Sequence, residues 1–545
     1  MRIAGNIQLY PFLRIALFLI IGIMVGDMCS RVVSATTWQW VFLTTWLIAI
    51  ALWKVAKTYR IRNMWLAKSQ TLLLLLLIAV GGAWRISNYR ATVQCIPTGC
   101  EEKFKAVVLT SSIEKPRFTK CELAIVDGRM RGKRVNAYFQ AARGKQLFSI
   151  GDGIEACAVF DKAYNGSAKS NTHFDYNRFL FVHGISARVF IADGYWHRSI
   201  VDLSSLPATT RLKLRLQSFR ERLLKKLRAS GISPDEYATI AAMTLGDKTS
   251  ISETLRNSYS KAGTSHILAL SGLHIGIIYA LLMSLFGNRR KSMVRISVVV
   301  IAIWLFAFMT GLTPSVARSA IMFTIYSLVS KLTNDDISLN SIAAAASLIL
   351  IFSPAALWDI GFQMSFLAVL GIVLCRMRME SARFYHIMWR RRWRSVVFSF
   401  VLVSLSAQVA VLPLSMHYFG NIPILFLVAN IVAIPLATII IYFAFFLFVL
   451  MPLCSLSPFL HNVWQWASNL LGYMANFLNN CTMSIASLSG ASINGVYIST
   501  MQLILIYVLM LTAWFLCGHL GNMYFSRHGA TLIRRDYSGR EIWDV

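Results

Sequence analysis

LVANIVAIPLATIIIYFAFFLFVLMPLC, residues 427–454, carries no charged side chain and decides the fold class. At about 1.5 Å of rise per residue, roughly 20 apolar residues cross the ~30 Å hydrocarbon core of a bilayer as one helix. Runs of the same kind open the chain near 12–29, 38–56 and 70–84 and recur between 266 and 517. Composition agrees, with 56% hydrophobic and only 14% charged residues in 545, where a soluble domain has about 25% charged. The chain reads as a polytopic α-helical membrane protein. The first run is long and no small-residue cleavage site clearly follows it, so no cleavable signal peptide is expected.

Further spans are expected near 266–285, 295–311, 316–330, 341–354, 360–375, 396–414, 424–450, 461–480 and 500–517, which brings the total to about twelve. ATIAAMTLGDK (238–248) is too short to cross and reads as a buried or re-entrant piece. The formal charge is +30. Excess Lys and Arg in cytoplasmic loops explains most of it without a nucleic-acid ligand, because insertion orients such loops inward. The basic stretches 54–68, 287–295, 376–394 and 527–540 all fall on the cytoplasmic side if twelve spans start from an inside N-terminus. Residues 86–235 then lie outside the cytoplasm.

Within that insertion, 103–111, 119–128, 133–140, 153–163 and 186–194 are short Val/Ile/Phe-rich segments bounded by turns such as Asp127-Gly128 and Asp193-Gly194. Five such strands suit a small OB-like β-barrel, a fold used both to bind single strands and as a plain scaffold. RLKLRLQSFRERLLKKLRAS (211–230) follows, with eight basic residues and one acidic. As an amphipathic helix it suits a bilayer surface held by anionic lipid, or a rail for a phosphate backbone. The organisation is therefore N-terminal helices (1–85), an extracytoplasmic OB-like domain (86–205), a basic helix (206–235), a second membrane block (236–518) and a short tail (519–545). Cys95, Cys100, Cys121 and Cys157 cluster in the insertion and are disulfide candidates if it is extracytoplasmic, with three complete pairings open.

The second block holds more polar residues than anchoring requires: His266, Ser271, Gly272 and His274, then Arg318, Asp359, Gln363 and Asn430. Ionisable groups in a membrane are costly and face a cavity or a partner. His266 and His274 stand about 12 Å apart along a continuous helix and roughly 80° around it, which disfavours one shared metal ion. Ser271 and His274 share a face, but no G-x-S-x-G elbow or third group completes a hydrolase site. Neither a catalytic site nor a metal or other cofactor is expected. Gly272 and Gly276 permit a helix break or close helix packing. Arg318 and Asp359 suit an ion pair that steadies packing, or a cation offered to a phosphate.

Taken in order, AAMTLGDK (241–248), HILALSGLHIG (266–276), TPSVARSAIMFTIYSL (313–328), SPAALWDIGFQMSFLAVLGI (353–372) and LPLSMHYFGNIPILFLVANIVAIPLA (412–437) resemble the signature blocks of the ComEC competence-protein family. The resemblance implies a bacterial inner-membrane channel component that passes single-stranded DNA into the cytoplasm during natural transformation. It implies a periplasmic DNA receptor as partner and a cytoplasmic helicase or translocase, since the chain has no P-loop. Many members continue into a metallo-β-lactamase-like domain. The final residues here hold no metal-ligand cluster, so a nuclease is expected from a separate partner. A transporter of another anionic polymer or lipid-linked substrate, and a non-conducting scaffold, are the competing readings. Oligomeric state is not legible.

Overall fold

The computed structural model describes residues 10–59, 64–94, 99–115, 117–140, 148–162, 175–202, 204, 206–285, 293–332, 339–379, 392–451, 457–527, 534–535 and 541–542. Three long helices come first: α1 (Pro11–Met28), α2 (Ala35–Thr58) and α3 (Met64–Val93). α1 and α3 approach closely because Gly22 and Gly26 face Ala79 and Ala83. A Cβ at Gly26 would lie 2.6 Å from the Ala83 Cα. Small residues at this spacing let helices pack by direct backbone contact.

The inserted domain is a closed barrel. Its strands are β1 (Glu101–Val108), β3 (Phe118–Asp127), β4 (Arg134–Phe139), β5 (Gly153–Lys162) and β6 (Ile185–Ile191), with short β2 (Ile113–Lys115) and β7 (Trp196–Arg198) appended to β3 and β5. The ladder runs β1-β3-β4-β6-β5, and β5 closes it by pairing with β1. Only the β4–β6 pairing among these is parallel. Alternate residues point inward, so Cys121, Leu123 and Ile125 of β3 meet Val135, Ala137 and Phe139 of β4 in a core with Ala187, Val189 and Ile191 of β6. The same alternation sets Cys121 apart from Cys157, one of the pairs left open among the four disulfide candidates. Cys121 points into the core, whereas Cys157 alternates with the inward Ala156 and Ala158. Cys100, Cys121 and Cys157 are free thiols. Cys95 lies outside the described residues.

A short helix, α4 (Tyr176–Val182), links β5 to β6 and docks the barrel on the membrane helices. Arg178 and Arg90 both pair with Asp27 of α1, the Arg178 contact at 2.8 Å. The Arg178 guanidinium also sits 4.2 Å from the Trp358 ring centroid, and the Tyr89 hydroxyl donates to the Phe181 carbonyl at 2.9 Å.

The basic segment forms α5 (Ala208–Arg228). Its apolar stripe is not left for a bilayer. Leu214 packs under the barrel with Val107, Leu109 and Ala124, while Leu223, Leu224 and Leu227 enter the core of the membrane block. α5 therefore bridges the two bodies. Next, α6 (Pro234–Leu245) matches the buried piece expected at 238–248. Ser233 and Glu236 close a capping box at its start, Gly246 ends it at φ +72°, and every residue from Tyr237 to Leu245 is buried.

The block continues through α7 (Glu253–Lys261), α8 (Gly272–Leu285), α9 (Met293–Met309), α10 (Pro314–Leu332), α11 (Leu339–Phe352), a 3-10 turn (Pro354–Trp358), α12 (Ile360–Met379), α13 (Arg392–Phe419), α14 (Phe426–Leu450), α15 (Pro458–Ser487) and α16 (Thr500–Arg527). Among the described residues seven helices are long and apolar enough to span a bilayer, rather than about twelve: α1, α2, α3, α12, α13, α14 and α16. The other five expected spans fall short for identifiable reasons. α8 and α11 have 14 residues each and α9 has 17. At 1.5 Å per residue, 14 residues reach about 21 Å, less than the ~30 Å core. α10 and α15 have the length, with 19 and 30 residues, but carry buried polar side chains such as Ser319 and Arg318, or Ser468, Asn479 and Thr482. Some of these polar groups join one inner helix to another. The Asn479 carbonyl oxygen, for example, accepts from Thr239 at 2.9 Å and from Tyr259 at 2.8 Å, tying α15 to α6 and α7. Of the basic stretches used to orient the spans, 287–295, 376–394 and 527–540 fall largely outside the described residues.

Candidate functional site: a cationic cavity between barrel and membrane block

The polar residues of the second block separate into two groups. The first surrounds the start of α8. Residues 262–271 are not helical, and Ser271 stands immediately before the first helical residue. Its backbone N–H donates to Nδ1 of His274 at 3.2 Å, and its hydroxyl lies 2.9 Å from the same nitrogen. The backbone donor requires Nδ1 to be the unprotonated acceptor. His274 thus does at this helix start what the Glu of a capping box does, returning a side-chain acceptor to the N-cap amide. Gly272 and Gly276 face α10, where added Cβ atoms would stand 3.2 Å from Ser319 Oγ and 3.1 Å from Phe323 Cζ. His266 is exposed beside the Gly263 carbonyl. The segment is both broken and closely packed, the two options that its glycines left open.

The second group opens onto a cavity of about 520 Å³. Three sequence blocks meet there: Gly246–Thr249 after α6, Thr310–Arg318 entering α10, and Ser353–Asp359 entering α12. Arg318 Nη1 pairs with Asp359 Oδ2 at 2.7 Å, with 8% and 15% of the side chains exposed. Asp359 also caps α12, accepting from the Gly361 and Phe362 amides at 3.3 and 3.2 Å. Gly361 leaves room for the guanidinium, since a Cβ there would lie 2.9 Å from Arg318 Nη2. Gln363 is one turn further on. Its amide donates to the Leu357 carbonyl at 3.0 Å and its oxygen accepts from Tyr418 at 3.3 Å. Asn430 belongs to neither group. It is buried in α14, and its Oδ1 has no hydrogen-bond partner among the described residues.

The barrel and α5 supply the opposite wall. Thr110, Ser111, Glu122 and Arg134 come from the barrel, and Lys213, Gln217 and Arg220 from α5. The lining holds five Lys or Arg residues (Arg134, Lys213, Arg220, Lys248 and Arg318) and three carboxylates (Glu122, Asp247 and Asp359). Asp359 is committed to Arg318, and Asp247 accepts from the Thr249 amide and hydroxyl at 3.1 and 2.8 Å. Burial pulls the Lys213 ammonium below its usual value, and Arg134 beside it adds to that effect while Glu122 opposes it. Burial does the same to Arg220, against the attraction of Asp247, Glu221 and Tyr237. Arg318 and Asp359 stand out in the sequence. Arg134, Lys213, Gln217 and Arg220 do not, because their meeting depends on how the barrel seats on the block. The signal that was available lay in α5, where the cations at 213 and 220 occur among leucines.

A family description, competence protein, matches residues 243–519, more than half of the chain. The chain belongs to the competence protein family. The matched region contains the α8 segment and all three membrane-block segments that line the cavity, whereas the barrel and α5 precede it. The chain is also similar to ComE operon protein 3 of Bacillus subtilis (strain 168), 26% identical over 380 residues, which covers 67% of this chain and 44% of that protein. The chain therefore spans less than half the length of that protein. No solved structure matches. Among the described residues no group of three or more His, Cys, Asp or Glu side chains is placed to hold a metal ion.

Proposed function

We propose that the protein is a channel component of the bacterial inner membrane that passes single-stranded DNA into the cytoplasm during natural transformation. The observation that carries this reading is the cavity, where three sequence blocks of the membrane region converge under the barrel with cations in excess of carboxylates. A polyanion is the ligand such a lining favours, since clefts of one sign with low-dielectric walls concentrate the opposite charge. Membership in the competence family supports DNA as that polyanion. On this reading the barrel faces the periplasm and receives the strand from a DNA receptor. Arg318, released in part from Asp359, meets the phosphates as they enter the block. A cytoplasmic helicase or translocase draws the strand inward, a separate nuclease removes its complement, and anionic lipid surrounds the assembly.

The test follows labelled DNA into cells lacking the gene and into cells complemented with the wild type or with Arg318→Ala. Loss of internalised label in the deletion strain, restored by the wild type and not by an inserted, folded Arg318→Ala protein, is expected. Unchanged internalisation in the deletion strain overturns the proposal, and altered envelope composition there would instead point to a lipid-linked or other polymeric substrate.

A further inference from the structure

Lys213, Gln217 and Arg220 occupy one face of α5 at i, i+4 and i+7, and all three line the cavity. Gln217 and Arg220 are 5% and 8% exposed. Neither Lys213 nor Arg220 makes a hydrogen bond or an ion pair among the described residues, and Gln217 Oε1 and Arg220 Nε are buried without partners. The nearby carboxylates attract them without pairing: among the described residues Glu122, Glu221 and Asp247 all lie beyond ion-pair distance of Lys213 and Arg220. Leaving buried cations unmatched is expensive. The loop before α10 is drawn in against this face, since an added Cβ at Gly311, whose φ is +88°, would lie 2.5 Å from Gln217 Nε2. The face is therefore enclosed and polar, rather than a stretch of solvated surface.

We propose that this face of α5 is a phosphate rail, a site that binds the sugar-phosphate backbone of a single strand at the cavity without reading its bases. From 213 to 220 the helix rises about 10 Å, roughly three nucleotides of a stacked strand at about 3.4 Å each. Two cations with an amide between them match successive phosphodiesters, and charge-assisted donors to phosphate carry no sequence information. A lipid phosphate has the same headgroup chemistry. It is disfavoured because Leu214, Leu223, Leu224 and Leu227, the apolar stripe that would rest on a bilayer, are consumed inside the protein. The proposal rests on the cavity being a strand path, and it adds which residues hold the strand there.

The experiment uses the whole protein in nanodiscs and fluorescence anisotropy of a labelled oligodeoxynucleotide over a series of salt concentrations. In Lys213→Gln/Arg220→Gln, affinity falls about tenfold and the slope of log affinity against log salt shrinks by about 1.4, or ~0.7 for each phosphate that is no longer neutralised. Lys225→Gln/Lys226→Gln removes the same charge from exposed positions of the same helix and leaves the slope nearly unchanged. Lys213→Arg/Arg220→Lys restores binding. An abasic phosphodiester strand competes as well as the oligonucleotide does. Equal losses in the two Gln pairs, or a slope that does not change, overturn the rail. So does competition by phosphatidylglycerol vesicles that disappears in the Lys213→Gln/Arg220→Gln protein, which would make the face a lipid site. Binding lost in that variant with normal uptake in cells leaves the rail standing and removes the strand path, whereas unchanged binding removes the rail alone.

Discussion

His274 and Arg318 are both buried polar residues near the start of an apolar helix, at the third position of α8 and in the second turn of α10. In sequence they carry the same message, a polar group where lipid-like residues prevail. In the structure their hydrogen bonds go to different places. Nδ1 of His274 returns to the amide of Ser271 three residues earlier, so it serves the helix that carries it. Arg318 reaches 41 residues along the chain to Asp359 and borders a cavity. A polar residue in a membrane block lines a cavity when its partner lies across a space that something else can enter. Local partners mark architecture.

The contrast can be broken first at Asp359. Asp359→Ala leaves the Arg318 guanidinium buried without its counter-charge and removes the cap of α12, and a loss of about 3–5 kcal/mol is expected. Resistance of the detergent-solubilised protein to heat or protease measures it. Arg318→Met combined with Asp359→Asn recovers most of that stability, because no charge is then left unmatched. It does not recover strand uptake. Recovery of both together would reduce the pair to packing and erase the difference from His274.

The close contact of α8 with α10 gives a smaller effect. Gly276→Leu drives a side chain into Phe323, whose Cζ would be only 3.1 Å from the first added atom, and overpacking of this kind costs about 1–3 kcal/mol. Phe323→Ala in the same protein returns part of it. If Gly276→Leu alone is neutral, the glycines serve the helix break and not the packing.

His274→Ala is expected to cost about 1 kcal/mol, as the loss of an N-terminal cap does, with uptake per folded molecule unchanged. Full folding with uptake lost would move His274 into the strand path and remove the distinction between the two groups.

How far these arrangements are legible in the sequence depends on how local their causes are. The five barrel strands lie within a few residues of the expected segments, because period-two alternation and Asp-Gly turns act over short range. The buried α6 is recognisable by its length. Its capping box and Gly246 are local signals as well. Sequence overestimates the number of long apolar helices because hydropathy treats every apolar run as lipid-facing, whereas among the described residues α8, α9 and α11 are short and α10 and α15 bury polar side chains inside the protein. α5 reads toward a bilayer surface since its leucine stripe shows amphipathicity but not what covers it. The docking of Asp27 with Arg90 and Arg178, and the union of Lys213 and Arg220 with Arg318 around one cavity, come from segments far apart in the chain. No spacing rule reports such meetings.

The smallest expected effect concerns protonation. Lys213 lies beside Arg134 and is partly withdrawn from water, so its ammonium loses its proton at lower pH than an exposed lysine does. A bound phosphate would pull that value back up, because it favours the charged form. Binding an anionic strand therefore takes up a proton above the pKa of the free protein, and affinity must fall as pH rises through that range. As pH rises through that range, which lies below where an exposed lysine titrates, the wild type weakens measurably more than Lys213→Gln, which has no proton to lose there, and more than Lys213→Arg, which keeps its charge throughout. His274 has no part in this range, because its Nδ1 is held as an acceptor by Ser271. A pH profile that is the same in Lys213→Gln and wild type would take Lys213 off the path and leave Arg318 as the cation that distinguishes the cavity from the helix cap.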